Sequence, residues 1–379
     1  MLEAFDVAVV GRGIVGLAHA YAAAKAGLRV AVIDREPAAR GASTRNFGFV
    51  TVTGQARGEM WRLARRSRDI WADLAPQAGI AIDQRGMLQL AQRSEGVGVL
   101  EAFLDTEMGE GLELLSNDAA RAQYDLGGFA SVAAVLVSPH ELRVEPRLAM
   151  PAIAAFLKEE FKVVFHNAAV VGCSSGVVFT ATGEIGAAQI FVCPGDDLQT
   201  LFPAAMTRRR VTRCKLQMLR IAPSGRMLPA PIMSDLSLVR YEGFAALDAS
   251  RPLLARLRSE HCALLDAGVH LIAVQAADRS LVVGDSHEYD LSPDPYQRKH
   301  IDDLILTAFA ETLPGFAGEI VERWIGTYAW SPDHHWFTEE AAPGVQLTAV
   351  TCGAGMSIGF AIGELVAAQT LGIAIKEAV

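Results

Sequence analysis

The feature that most constrains the fold of this 379-residue chain is a glycine-rich turn close to its start. The apolar run Phe5–Val10 has the composition of a buried parallel strand, and an alanine-rich helical segment follows the turn. The turn contains three spaced glycines: Gly11, Gly13 and Gly16. The first allows a tight turn, the second lets the backbone approach a pyrophosphate, and the third lets helix and strand pack closely. This pattern predicts a dinucleotide site at the start of the helix, where the helix dipole favours phosphate.

The strand that follows the helix supports this prediction. The β-rich run Leu28–Ile33 ends at Asp34, which lies 18 positions (34 − 16) after the last glycine of the turn. A carboxylate at this strand end accepts hydrogen bonds from the adenosine ribose hydroxyls and disfavours a 2′-phosphate, which argues against NADP. We expect further cofactor contacts from Ile14 and Val15 in the turn and from Arg35, the residue after Asp34.

A second glycine-rich turn lies near the C-terminus. Val345–Thr351 is predicted to be a strand, the sequence CGAGMS follows, and a helix continues to about Leu371. Backbone N–H groups at such a helix start would face the part of a flavin that gains negative charge on reduction. The alternative interpretation is close packing of a strand on a helix without any ligand. The predicted contacts in this turn are Gly353, Gly355, Met356 and Ser357.

Charge and composition narrow the class of protein. The 34 basic and 43 acidic residues give a net charge of −9, so we expect no nucleic-acid partner. The chain enters its first strand within five residues and shows no signal peptide, which predicts a cytoplasmic enzyme. The apolar stretch Met356–Ile375 is interrupted by Glu364, Gln369 and three glycines, so we expect no membrane span. No metal site is predicted.

The order of the elements predicts an α/β fold, with a discontinuous Rossmann-like domain and an α+β domain whose sheet is mostly antiparallel. The run Gln189–Val192 leads into Gly195, which suits a strand returning to the first sheet. We expect Val170 and Gly195 to contact the cofactor. The predicted FAD-binding domain comprises residues 1–80, 140–205 and 325–379, and the predicted substrate domain comprises residues 81–139 and 206–324.

Four segments carry a resemblance to a known family. They are GRGIVG with Asp34, the segment GASTRNFG at 41–48, the stretch from Trp324 to Asp333, and GAGMS. In this order, over nearly the whole chain, they resemble the D-amino-acid oxidase and glycine oxidase family of flavoproteins. The resemblance implies bound FAD. It also places one group of residues against the cofactor: Ser43, Arg45, Asn46 and Gly48.

The resemblance implies oxidation of a carbon–nitrogen bond by hydride transfer to flavin N5, followed by hydrolysis of the imine. The segments 45–48 and 51–55, together with Trp324 and the segment 331–333, are similar to a narrower bacterial clade associated with the breakdown of aminophosphonates such as 2-aminoethylphosphonate and its N-alkyl derivatives. Cys352 lies near the expected flavin, but relatives that attach flavin through cysteine use other sequence contexts. We therefore expect noncovalent FAD, reoxidised by oxygen or by an electron carrier.

One departure from the family bears on the substrate. Amino-acid-oxidising relatives have an arginine where this chain has Tyr328, and tyrosine cannot supply a bidentate cation for a carboxylate. A phosphonate would need several donors, for which the run Arg208–Arg210 with Arg213 and Lys215 is a candidate source or else a solvated surface strip.

Candidate catalytic residues are Tyr328, His334, His335 and His287. Our first hypothesis is an FAD-dependent amine oxidase or dehydrogenase acting on a small, possibly phosphonate-bearing, amine. The alternatives are a D-amino acid, glycine or sarcosine as substrate, a nicotinamide-dependent dehydrogenase, and a flavoprotein subunit without activity of its own.

Overall fold

The computed structural model describes residues 4–374, so part of the predicted C-terminal segment, residues 375–379, lies outside the described residues. The strands are β1 (Ala4–Val10), β2 (Val30–Asp34), β3 (Phe49–Val50), β4 (Ile82–Ala91), β5 (Glu113–Ser116), β6 (Ala134–Val144), β7 (Val164–Asn167), β8 (Val170–Ser174), β9 (Val177–Thr180), β10 (Gly183–Val192), β11 (Thr212–Ile221), β12 (Ile232–Met233), β13 (Ile272–Gln275), β14 (Leu281–Gly284), β15 (Glu288–Asp290), β16 (Ile320–Trp330), β17 (Trp336–Ala342) and β18 (Val345–Val350).

The α-helices are α1 (Ile14–Lys25), α2 (Glu59–Gln77), α3 (Ser94–Leu104), α4 (Asn117–Gln123), α5 (Pro146–Glu160), α6 (Pro203–Arg208), α7 (Asp235–Leu238), α8 (Glu242–Ala245), α9 (Ser250–Glu260), α10 (Cys262–Asp266), α11 (Lys299–Thr312) and α12 (Gly355–Leu371). Short 3₁₀ turns occur at Ala42–Thr44, Glu107–Gly109 and Pro314–Phe316.

The first sheet has the Rossmann-like character that the sequence predicted. Its main path runs β17-β18-β10-β1-β2-β7, and the neighbours from β18 to β7 are parallel. The strands are drawn from separate parts of the chain because β10 and β18 return to pair beside β1. Strands β1 and β2 are apolar on both faces since helices cover one face and a second apolar cluster covers the other.

The helical layer on this sheet is built from α1, α2, α5 and α12, which share one apolar core. Helix α12 packs between α1 and α2, and its Phe360 lies edge-on to Trp71 of α2. The apolar character of α12 therefore serves packing inside the protein. Within residues 4–374, no helix is both long enough and apolar enough to cross a membrane.

The second sheet has ten strands, and all but one of its pairs within the described residues are antiparallel. Helices α3, α9 and α11 pack with it around a core of their own. A smaller apolar cluster that includes Phe49, Leu216 and Met218 lies toward the first sheet. The predicted α/β fold with a mostly antiparallel second sheet is confirmed.

The proposed division into two domains remains a prediction. Strand β16 crosses the expected boundary at residue 325, and its whole length pairs with β11 of the second sheet. Strand β6 likewise extends past residue 140 while it pairs with β4 and β3. We propose that the boundaries lie near residues 145 and 331, where these strands end.

Candidate functional site

A large cavity of about 1210 Å³ lies between the two sheets. It begins at the carboxyl ends of β1, β2, β10 and β18, which lie at one edge because these strands are parallel. It continues to the face of the second sheet, where Leu216, Met218 and Ile272 line it. Pockets for small ligands commonly measure about 300–1,000 Å³, so this cavity has room for a dinucleotide and a substrate together.

The first glycine turn has the close approaches that a dinucleotide site requires. A Cβ on Gly11 would lie 2.3 Å from the carbonyl oxygen of Cys193, and one on Gly16 would lie 2.0 Å from that of Gly11. The Asp34 carboxylate accepts the N–H of Arg12 at 2.7 Å and that of Glu36 at 2.9 Å. The backbone thus fixes the carboxylate at the strand end.

The loop after β2 is tied to this turn. The Ser43 hydroxyl accepts the N–H of Ile14 at 2.9 Å, at the first residue of α1. Asn46 stabilises the loop itself, since its side chain donates to Ala42 and accepts from Gly48. Sixteen of the predicted cofactor contacts line the cavity: Gly11, Gly13, Ile14, Val15, Gly16, Asp34, Arg35, Ser43, Arg45, Asn46, Val170, Gly195, Gly353, Gly355, Met356 and Ser357.

Gly48 is the predicted contact that does not line the cavity. A Cβ at this position would lie 1.8 Å from the carbonyl oxygen of Val144, so the glycine lets the loop pack against the end of β6. Position 48 therefore requires a glycine because the backbone packs closely there, behind the cavity wall.

The second glycine turn brings the C-terminal segment against the substrate side of the cavity. Gly353 has φ +77°, and a Cβ there would lie 2.9 Å from the ring of Tyr328. The Ser357 hydroxyl accepts the N–H of Thr51 at 2.9 Å, and Gln55 donates to the Thr51 hydroxyl at 2.7 Å. These buried bonds hold the start of α12 against the 51–55 segment.

The cavity contains a cation that the sequence did not indicate. Arg240, in the loop between α7 and α8, donates to the Tyr289 hydroxyl at 2.7 Å. No carboxylate within residues 4–374 lies within 4.0 Å of its guanidinium. Burial lowers the pKa of Arg240, but Tyr289, Tyr328 and Asp285 together raise it above its usual value. Arg240 is thus a charged group with donors left for an anion.

Three further polar side chains meet beside Arg240. His270 Nδ1 lies 3.3 Å from Asp285 Oδ1, and His287 Nε2 lies 3.8 Å from Asp285 Oδ2. Burial raises the pKa of Asp285 to about 7, and Arg240 opposes that rise. Burial and the charge of Arg240 hold the pKa values of His270 and His287 well below their usual range, so both imidazoles are neutral at pH 7.

The spacing of these three groups, within 4.8 Å of one another, would by itself admit a metal ion. The guanidinium of Arg240 acts against this interpretation because it adds positive charge beside the cluster. We interpret the cluster as a carboxyl group flanked by two neutral imidazoles.

The predicted catalytic residues all line the cavity, in two different places. Tyr328 and His287 lie at the buried end, where their rings are 6.5 Å apart. Burial and nearby Cys214 raise the pKa of Tyr328 well above its usual value, so it stays a neutral phenol. His334 and His335 lie at the exposed rim, where His335 Nε2 lies 2.9 Å from Glu242 and that carboxylate raises its pKa.

The arginines of the run that the sequence suggested as an anion site already form ion pairs with acidic side chains. Glu339 pairs with both Arg208 and Arg209, and Asp333 pairs with Arg210. The Lys215 ammonium, although buried, lies 2.8 Å from Asp294 and 3.0 Å from Glu288. Arg213 donates to backbone carbonyl groups. These cations stabilise the structure locally.

Arg240, His270 and Asp285 are the site residues that sequence reasoning missed. Asp285 could have been found, because it directly follows strand β14 and precedes the predicted His287. No sequence signal marks Arg240 among the chain's many arginines, since its position in the cavity depends on the packing of a loop against two distant strands.

The fold and the cavity define a class of protein: a dinucleotide-binding enzyme with a substrate chamber between two sheets. Residues 6–369 match the model of the DAO family, described as FAD dependent oxidoreductase. The chain therefore belongs to this family of FAD-dependent oxidoreductases, and FAD is its cofactor. This favours FAD over the nicotinamide alternative.

Solved structures share the fold at low sequence identity. Glycine oxidase from Geobacillus kaustophilus has a TM-score of 0.79 at 19% identity, over 99% of this chain and 96% of that one. L-proline dehydrogenase from P. horikoshii has a TM-score of 0.78 at 20% identity, over 97% and 93%. L-α-glycerophosphate oxidase from Mycoplasma pneumoniae, with FAD bound, has a TM-score of 0.73 at 15% identity, over 98% and 94%. The search of curated proteins found no significant match.

Proposed function

We propose that this enzyme oxidises the carbon–nitrogen bond of a small amine that also carries an anionic group. The best candidate is 2-aminoethylphosphonate or its N-methyl derivative, and the alternative is glycine, sarcosine or a D-amino acid. The observation that carries the proposal is Arg240, a cation in the cavity without an acidic partner among the described residues. It replaces the cation that Tyr328 cannot supply.

The cofactor would occupy the half of the cavity bounded by the glycine turns. We propose that Asp34 holds the adenosine ribose, that the start of α1 with Ser43 holds the pyrophosphate, and that the turn at Gly353 faces the flavin, bound noncovalently. Bound FAD would supply the acceptor for a hydride from the carbon next to the substrate nitrogen, and the resulting imine would hydrolyse. The chain's own residues orient the substrate, exclude water and move protons.

The anionic group would be held by Arg240 and by Tyr289, which is partly exposed. Tyr289 accepts a hydrogen bond from Arg240, which leaves the phenolic hydrogen free to donate to the same anion. Together with the Arg240 guanidinium, these donors suit either a phosphonate or a carboxylate. A neighbour of the same fold is named for glycerophosphate, which is compatible with a substrate bearing a phosphorus oxyanion.

In the first experiment, the flavin-loaded enzyme is mixed with single amines in the absence of oxygen, and the loss of yellow flavin absorbance is measured. The panel is 2-aminoethylphosphonate, its N-methyl derivative, glycine, sarcosine and D-alanine. Bleaching by the phosphonates alone supports the first candidate, and bleaching by the amino acids alone supports the alternative. An enzyme that none of these compounds reduces would contradict the proposal. Admitting air afterwards separates an oxidase, which regains its colour rapidly, from a dehydrogenase that needs an electron carrier.

Replacing Arg240 by methionine is expected to weaken binding of the anionic substrate. A charge-assisted hydrogen bond contributes about 1.5–3 kcal/mol, so the dissociation constant should rise about 10- to 150-fold. The measurement is the substrate dependence of the flavin reduction rate. Arg210→Met is the matched control, because Arg210 lies at the exposed rim and pairs with Asp333. If both substitutions weaken substrate binding equally, Arg240 does not hold the anionic group.

A further inference from the structure

The side chain of Asp285 lies at the buried end of the cavity, where it is 5% exposed. Its Oδ1 atom lies 3.3 Å from Nδ1 of His270, yet the geometry between them does not form a hydrogen bond, and neither atom has another partner among the residues that the structure describes. A buried carboxyl oxygen without a partner is unfavourable by about 1–3 kcal/mol or more if charged, so such a group calls for a functional explanation.

The groups around Asp285 do not supply a permanent counter-charge. His287 Nδ1 lies 2.9 Å from the carbonyl oxygen of Gly268, which fixes the N–H on that atom and leaves Nε2 facing Asp285 as a bare lone pair. His270 is also neutral at pH 7. The Arg240 guanidinium is near enough to influence Asp285 but makes no ion pair with it within 4.0 Å.

The remaining titratable groups that face Asp285 are neutral at pH 7. Burial raises the pKa values of Tyr241, Tyr289 and Tyr328. Burial likewise raises the pKa of the Cys214 thiol to about 12. Among the described residues around Asp285, Arg240 is therefore the cation and Asp285 the acid, and the two make no ion pair within 4.0 Å.

We propose that Asp285 is the catalytic carboxylate that receives the substrate's ammonium group and accepts one proton from it, while Arg240 holds the anionic group of the same zwitterion. This inference rests on the proposed function. In this step one N–H bond breaks and one O–H bond forms on the carboxylate, and no electrons are transferred. The amine gains the lone pair that it needs before its neighbouring carbon can lose a hydride.

The raised pKa of Asp285 suits this role. A carboxyl group with a pKa of about 7 is ionised above that pH, so it attracts the ammonium, and it holds the proton better than an ordinary carboxyl group. Below pH 7 it is protonated before the substrate arrives and cannot accept a second proton. The efficiency of flavin reduction should therefore fall about tenfold per pH unit below about 7 in the wild-type enzyme.

The test is the substitution Asp285→Asn in the flavin-loaded enzyme, with the amine that bleaches the wild type. An alkyl ammonium has a pKa of about 10, so at pH 7 only about one molecule in 1,000 is the neutral amine that the variant can use. We expect the reduction efficiency at pH 7 to fall about 100- to 1,000-fold and to recover about tenfold per pH unit toward pH 10. A phosphonate substrate itself loses a proton near pH 6, and this affects the pH profiles of the wild type and the variant alike. The difference between the two profiles therefore reports on Asp285.

A binding measurement gives a readout that does not depend on turnover. The probes are an amine without hydrogen on the carbon next to nitrogen and an anion without an amine. For a phosphonate-oxidising enzyme these are 2-amino-2-methylpropylphosphonate and ethylphosphonate, and for an amino-acid oxidase they are 2-aminoisobutyrate and acetate. Asp285→Asn should bind the amine at least about tenfold more weakly at pH 8 but bind the amine-free anion as well as the wild type does.

The control variant is Asp333→Asn, which removes an exposed carboxylate from the rim of the same cavity. It should keep the wild-type pH profile. If Asp285→Asn reduces flavin with an unchanged pH profile, the inference about Asp285 is wrong while the proposed function stands. If no amine reduces the wild-type enzyme, the proposed function itself is wrong. A metal ion that copurifies in equal amount and whose removal by EDTA abolishes amine binding would also overturn the inference.

Discussion

Replacing Gly11 by alanine is expected to produce an enzyme that purifies without its flavin. Gly11 has φ +107°, and an added Cβ would lie 2.3 Å from the carbonyl oxygen of Cys193. A side chain at such a backbone angle is unfavourable by about 1–3 kcal/mol, and the clash with β10 adds to that strain. The dissociation constant of FAD should rise on the order of 100-fold or more, as measured by titrating the apoenzyme with FAD.

Gly27→Ala is the matched control for this substitution. Gly27 also has positive φ, at +83°, but no atom lies within 4 Å of its added Cβ and it is remote from the cavity lining. This variant should remain yellow and lose only a little thermal stability, because it has the backbone strain without the clash. A yellow Gly11→Ala enzyme with wild-type FAD affinity would show that the turn does not determine cofactor binding.

Replacing Arg143 by methionine is expected to lower the free energy of unfolding by about 3–5 kcal/mol, the effect typical of removing one partner from a buried ion pair. Arg143 has no exposed surface, and its guanidinium bonds to Asp83, to Glu145 at 2.9 Å and to the carbonyl oxygen of Phe47 at 3.2 Å. The substitution leaves the Asp83 carboxylate buried without its cation. Urea unfolding at pH 7, with FAD at equal saturation, measures the loss.

The control for Arg143 is Arg251→Met. Arg251, in the first turn of α9, pairs with Asp248, which precedes the helix, and both side chains are exposed, so its removal should leave the urea midpoint unchanged. Should both arginine substitutions have the same small effect, the buried network around Arg143 would not be a main source of stability. The network also links β6 to the loop at Phe47, so we expect the Arg143 variant to bind FAD less tightly as well.

Arg240 and the run at 208–210 differ in a way that explains why the proposed anion site could not be found from the sequence. A run of arginines looks like an anion site when the chain is read alone, yet Glu339 and Asp333 neutralise it from more than a hundred residues away along the chain. Arg240 stands alone in the sequence and has no acidic partner among residues 4–374. Pairing across long sequence separations decides which of two identical side chains is available to a ligand.

The sequence by itself determined the cofactor half of the protein. The glycine turns, the strand ends and Asp34 are local features, because the backbone geometry that they require is set by a few consecutive residues. It also predicted the α/β fold and the mostly antiparallel second sheet from the periodicity and order of the runs. Tertiary structure alone decided the proposed substrate half. Arg240, His270 and Asp285 come from separate loops and strands, and their burial, charge and pKa values arise only when two sheets meet around them.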